Sequence, residues 1–300
     1  MDKKEILNRI KTVNKEKFSN LSANEVISVS KMLEYVTTPF DKEGQAKICE
    51  EKGRDNPDYK YAGMLAEEII AMWDAKANTS KMYGSLLDDY TEQYFAGDAD
   101  DMEIWKMDHN FDSDVRLREN CKGFEQFVSD IKAYGFEYVG REITLYGEVE
   151  NKTGDMPFDS EVSEKENGIV KGRLDCLFMN PATGKLLIVD WKTTDEIKTS
   201  GFGKMMKGPA YNFQDCDLSK YIIQVQTYKN DLIKTYKIGS PDSINVVICN
   251  LRKELDPQTG RNYILYKENN AFNSSTLDEI VLFAIKKRKL LSKKNNKTIV

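Results

Sequence analysis

The sequence predicts an α/β fold, a mixed β-sheet core flanked by helices behind a mainly helical N-terminal portion. Three observations carry that prediction. Apolar residues recur at helical spacing through residues 1 to about 135. From about residue 137 the pattern changes to the alternation and β-branched content of strands. A helical stretch at 218–236 then interrupts the strands, and another closes the chain. With no internal repeat or long linker, residues 1–300 are expected to form one domain. Residues 1–135 would supply its helical portion, and 136–300 an α/β core with a basic C-terminal helix and tail.

The opening segment, MDKKEILNRIKTVNKEKF, reads as an exposed amphipathic helix with Ile6, Ile10 and Val13 on one stripe. Its basic start is followed by no apolar stretch and no small-residue cleavage site, so no signal peptide is expected. NEVISVSKMLEYV (24–36), AGMLAEEIIAMWDAKA (62–77) and MYGSLLDDYTEQYF (82–95) all read as helices. CKGFEQFVSDIKAYG (121–135) reads as a helix ending at a glycine suited to a C-cap. EYVGREITLYGEV (137–149) alternates as a strand does, and NKTGDMPFDSEVSEKEN (151–167) is a polar loop. GIVKGRLDCLFM and KLLIVDWKT read as strands joined by the turn sequence NPATG. After the 218–236 helix, SINVVICNLRK and RNYILYK return to strand, and LDEIVLFAIKKRKLL is a helix.

Composition narrows the function. At 40% hydrophobic and 31% charged residues, the chain has the balance of a globular protein. No apolar run approaches the roughly 18 residues needed to span a bilayer, so no membrane partner is expected. Five scattered cysteines and a single histidine, His109, argue against zinc and disulfide scaffolds and fit a reducing cytoplasm. Neither a GxSxG elbow nor a Walker sequence is present. Net charge is −5, but IKKRKLLSKKNNKTIV carries seven basic residues and no acidic one. It reads as a solubilising helix end or as a phosphate-binding patch.

The chemistry concentrates in GRLDCLFMNPATGKLLIVDWKTT (172–194). Alternation puts Asp190 and Lys192 on one strand face, with Leu187, Val189 and Trp191 on the other. The hairpin partner brings Asp175 near. Two carboxylates and a lysine at the end of a buried hairpin call for a counter-charge, and a divalent cation with oxygen ligands, Mg²⁺ or Mn²⁺, supplies it. Lys192 would then orient or deprotonate a water. The plainer alternative is an exposed hairpin carrying a surface ion pair.

GRLD, IVDWKTT and QVQTY, in that order, resemble the PD-(D/E)xK nuclease superfamily and its RecB-like branch. Gln224 and Tyr228 form the QxxxY one helical turn apart. MYGSLLDDYTEQYF resembles the branch's G-x-x-x-H-x-x-x-E helix, with Gly84 and Glu92 in place and Asp88 where the histidine stands. SVSKMLEYVTTPFD, AEEIIAMWDAKA and MKGPAYNFQDCDLSKYIIQVQTY extend the resemblance over roughly residues 26–230. They look like nucleases of this type from bacteriophages and large DNA viruses.

The resemblance implies a restriction-endonuclease-like fold and metal-dependent hydrolysis of DNA, by an exonuclease of phage-type recombination or replication in the host cytoplasm. Asp175 and Asp190 would bind metal through carboxylates, Trp191 through its backbone carbonyl, and Asp88 in the histidine's place. Lys192 would serve the attacking water, while Gln224 and Tyr228 orient the catalytic groups. The expected partners are linear DNA, single- or double-stranded, and a recombination or replication protein. The departure at Asp88 keeps a catalytically impaired binding or interaction module as an alternative. A structure-selective endonuclease is another. The branch's iron–sulfur cluster is not expected, because only Cys249 lies beyond the QxxxY helix.

Other residues remain open. Glu142 is a solvent-facing strand glutamate or a site residue. Arg173, two residues before Asp175 and expected on its face, is a phosphate contact or a surface charge. DHNFDSDVRLRE (108–119) has calcium-loop spacing without the glycine, Ser113 standing there, and reads better as an acidic loop. GFGKMMKGPAYNFQDCD (201–217) is a strand-gripping loop or one packed by Met205, Met206 and Phe213.

Overall fold

The computed structural model describes residues 1–150, 167–267 and 274–297, so the polar loop read at 151–167 lies outside them up to residue 166. One mixed six-stranded sheet runs through the molecule: β1 (Val26–Ser28), β2 (Glu137–Glu150), β3 (Asn167–Met179), β4 (Leu186–Lys192), β5 (Ile244–Leu251) and β6 (Tyr263–Lys267). Among the described residues there are eight α-helices, α1 (Lys3–Val13), α2 (Val29–Val36), α3 (Lys42–Asp55), α4 (Ala66–Ala96), α5 (Ala99–Asp108), α6 (Val115–Ala133), α7 (Asp217–Lys234) and α8 (Ser274–Lys297). One core lies between the sheet and α1, α2, α7 and α8, the other between the sheet and α4, α5 and α6. The α/β class and the open mixed sheet therefore agree with the sequence. Among the described residues, no helix is long and apolar enough to cross a membrane.

Strand β3 organises the sheet. Along one edge it pairs with β2, antiparallel, over nearly its whole length. The other edge is shared. β1 pairs with Ile169–Lys171 in parallel, and β4 pairs with Cys176–Met179 antiparallel. Residues 172–175, Gly-Arg-Leu-Asp, have no strand partner on that edge. The sheet opens there, and β4 continues past the opening on its parallel pairing with β5.

Several elements depart from the sequence reading. The helix expected over 24–36 is a three-residue strand followed by a helix, with the Ser28 hydroxyl accepting the Lys31 N–H (3.1 Å) as N-cap. Three residues are too few for alternation to show. The two helices expected at 62–77 and 82–95 are one 31-residue helix, capped by the Glu68 carboxylate at its start and ended by Gly97 at φ +77°. Helix α1 is docked rather than exposed, its Ile6 and Ile10 buried in the first core. The predicted C-cap at Gly135 is present, at φ +80°.

Candidate active site

The open edge of β3 is where the predicted residues meet. Beyond the Cys176–Val189 pair the β3–β4 ladder stops, and the Asp175 side chain takes over: its Oδ2 accepts the Trp191 N–H at 2.9 Å. The carboxylate thereby occupies the fork between the strands. Asp190, 1% exposed, lies beside it. The Lys192 ammonium is 2.6 Å from Asp190 Oδ2 and 4.5 Å from the centre of the Tyr221 ring. That Oδ2 is buried and receives no aligned hydrogen bond.

Helix α7 closes the site with one polar stripe. Tyr221, Gln224, Tyr228 and Asp231 are spaced three, four and three residues apart, so one helix face presents all four to the sheet. Gln224 Nε2 donates to Asp190 Oδ1 (3.0 Å) and to the Tyr228 hydroxyl (3.1 Å). The Tyr228 ring packs against Gly172, where any Cβ would overlap its Cε1. The glycine of GRLD is thus explained by a ring on α7: with a side chain at position 172, Tyr228 could not reach Gln224.

The electrostatics follow from burial. Desolvation, reinforced by Asp190, pushes the Asp175 carboxyl up to about 8, against the pull of Lys192 and the Trp191 N–H. Burial raises Asp190 as well, with Lys192 opposing. For Lys192 burial acts downward, but Asp190 and Asp175 outweigh it and hold the group above its ordinary value, as an ammonium. Asp88 on α4 is raised by burial and lowered by Arg141 and Arg173. Its backbone carbonyl accepts from Arg141 (2.8 Å), and the same guanidinium pairs with Glu92 (2.7 Å).

Trp191 turns its ring away, edge-on to Phe124 and Phe127 with centroids 5.2 Å apart. Arg173 pairs with Glu142 at 2.6 Å. The expectation that Arg173 shares the Asp175 face fails, because the ladder is irregular at this point: Glu142 sits at φ +51°, and Leu174 and Leu177 enter the same core. That parity change turns Asp175 inward. Glu142 is half-buried and its carboxyl raised, by burial first, with Asp88 adding to the rise and Arg173 opposing it. In the calcium-like stretch, Asp114 caps α6 and accepts from the Tyr83 hydroxyl (2.9 Å).

The donor set suits a hard divalent cation. Two carboxylates abut, Asp190 buried and Asp175 half-buried, both raised, with the Lys192 ammonium as the cation beside them. Asp175 and Asp190 are the residues that would hold it. Among the described residues no three His, Cys, Asp or Glu side chains already converge as a metal cluster, and Asp88 is near enough to add to the rise of the Asp175 carboxyl.

Sequence reasoning missed Tyr221 and Asp231. Their signal was available in the stripe that runs through Gln224 and Tyr228. It also missed Arg141, whose link between β2 and α4 has no sequence signature.

No family model matches the sequence, and no curated protein matches it. A solved structure, that of SSO0001, aligns over 93% of this chain and 84% of its own at 14% identity, with a TM-score of 0.36. That likeness is too slight to carry an argument.

Proposed function

We propose that the chain is a metal-dependent deoxyribonuclease of the PD-(D/E)xK type, with a restriction-endonuclease-like fold, acting on DNA ends. One observation carries the reading: Asp175, Asp190 and Lys192, far apart from Gln224 and Tyr228 in sequence, converge with them at the fork between β3 and β4. A bound Mg²⁺ or Mn²⁺ supplies Lewis-acid activation of the phosphate and of water. The protein's own groups do the rest. Asp190 is fixed by Gln224, which is fixed in turn by Tyr228. Lys192, held as an ammonium over the Tyr221 ring, offers a positive charge to the phosphate and to the water that attacks it. Asp88 and the Trp191 carbonyl are the further ligands that the family resemblance implies.

The test is cleavage of 5′-labelled linear DNA, single- and double-stranded, with Mg²⁺, Mn²⁺ or EDTA. Metal-dependent loss of substrate is expected for the wild type. For Lys192→Ala and Asp190→Ala a fall on the order of 10³-fold is expected, the scale of removing a group that stabilises the transition state. Equal rates in the variants sink the assignment. Resistance of closed single-stranded circles supports an exonuclease, and their cutting supports a structure-selective endonuclease.

A further inference from the structure

The segment after β4 leaves the site and returns to it. Asp195 near its start is held by Lys76 (3.1 Å) and Arg116 (3.6 Å). Its return is tied by Leu218 N–H to the Lys198 carbonyl (3.0 Å) and by Thr38 N–H to Asp215 (2.7 Å). Between these anchors Met206 is buried and Phe213 packs on the core. The base of the loop is therefore ordinary packed structure, but the tip is not.

At the tip, Lys204 N–H bonds the Gly201 carbonyl at 3.0 Å, closing a turn whose central residues are Phe202 at φ +50° and Gly203 at φ +83°. Two positive φ values in succession are the pattern of a type I′ turn, which favours Asn or Gly at both positions. A bulky aromatic costs backbone strain there. Strain of this kind is normally offset by packing, yet Phe202 is 88% exposed. Folding gains nothing from the ring and loses by its backbone. Lys198, Lys204 and Lys207 are exposed on the same segment and form no ion pair among the described residues. Even with Met205 and Tyr211, also exposed on this segment, the ring offers too little apolar area for a protein interface. An aromatic face amid unpaired ammonium groups is what a single nucleic-acid strand requires, base on ring and phosphates on lysines.

We propose that Phe202 is a stacking platform for an unpaired base of single-stranded DNA entering the site, with the neighbouring lysines on its phosphates. This rests on the deoxyribonuclease reading for its choice of DNA, and it is tested without cleavage.

Binding of a fluorescein-labelled oligo-dT strand is measured by anisotropy in EDTA, with melting temperature recorded for each protein. Phe202→Asn suits the turn and removes the ring. It is expected to weaken binding about tenfold, to keep the salt dependence of the wild type, and to melt about 2 °C higher. Phe202→Trp is expected to retain affinity, with its indole quenched on binding. Unchanged affinity in Phe202→Asn, a lowered melting temperature in that variant, or no binding by the wild type each overturns the proposal. If wild type cuts DNA and Phe202→Asn binds normally, the platform alone fails. If wild type never cuts but Phe202→Asn loses binding, the nuclease reading fails and the platform stands.

Discussion

On one face of β4, Val189 and Trp191 enter a cluster with Phe124, Phe127, Cys176, Phe178 and Cys249. On the other, Asp190 and Lys192 meet Gln224 and Tyr221. The same seven-residue strand thus carries one face that is apolar throughout and a second that begins apolar, with Leu186 and Ile188 in the other core, and ends in a polar pair that works against the fold. Ring–ring contacts on the first face add to area burial. On the second, two like carboxylates are crowded in low dielectric, an arrangement that folding alone would not select.

The sharpest break of this contrast is Trp191→Ala against Asp190→Asn. Trp191→Ala is expected to cost about 4 kcal/mol of unfolding free energy in urea, the usual loss for a buried large aromatic. Asp190→Asn relieves the repulsion with Asp175 but removes one counter-charge of Lys192, leaving Asp175 as the other, so it should cost less stability than Trp191→Ala while cleavage collapses. A large loss of stability in Asp190→Asn would mean that the polar face is structural after all.

Next in size is Gly172→Ala, whose methyl group would displace the Tyr228 ring and break its bond with Gln224. Overpacking of this kind costs about 2 kcal/mol, and losing the support of Asp190 should slow cleavage about 10- to 100-fold. Pairing it with Tyr228→Leu is expected to restore stability but not rate. If the double variant recovers both, Tyr228 does no more than fill space.

The smallest effect concerns Asp231, the last residue of the α7 stripe, 2% exposed and with a buried Oδ2 lacking a hydrogen-bond partner. Burial, then repulsion from Asp278, raises its carboxyl well above the usual range. The neutral form is favoured in the fold, so its contribution is complete below the unfolded pKa of about 3.9 and is lost as pH rises. Asp231→Asn should therefore gain on wild type as pH rises from 5 to 8. Parallel melting curves at both pH values would show that Asp231 has a partner in solution.

What the sequence revealed of the site was whatever depends on a local period. Alternation separated Asp190 and Lys192 from Trp191, and the i, i+4 spacing put Gln224 beside Tyr228. The parity change that turns Asp175 inward depends on the strained Glu142 of a neighbouring strand, so alternation alone misplaced Arg173. The three-residue β1 was hidden for a similar reason: its identity lies in its pairing with Ile169–Lys171, not in its own residues. The pairing of Gly172 with Tyr228 was equally invisible, because a missing side chain announces nothing about what fills its place.

The short β1 also sets the order in which the molecule can assemble. The Arg288 guanidinium on α8 donates to the carbonyls of Val26 (2.7 Å) and Asn24 (2.6 Å). Ile285 of the same helix covers Gly168, beside the β1 pairing. A segment near the start of the chain is therefore fastened by one near its end. The strand partner of β1, Ile169–Lys171, precedes Arg288 in the chain, but the seating of β1 is complete only with Arg288 in place, and the contacts that hold it span about the whole chain. Such long-range closure makes folding slow and concerted. The edge of β3 that carries the site is therefore flanked by a strand whose fastening comes last.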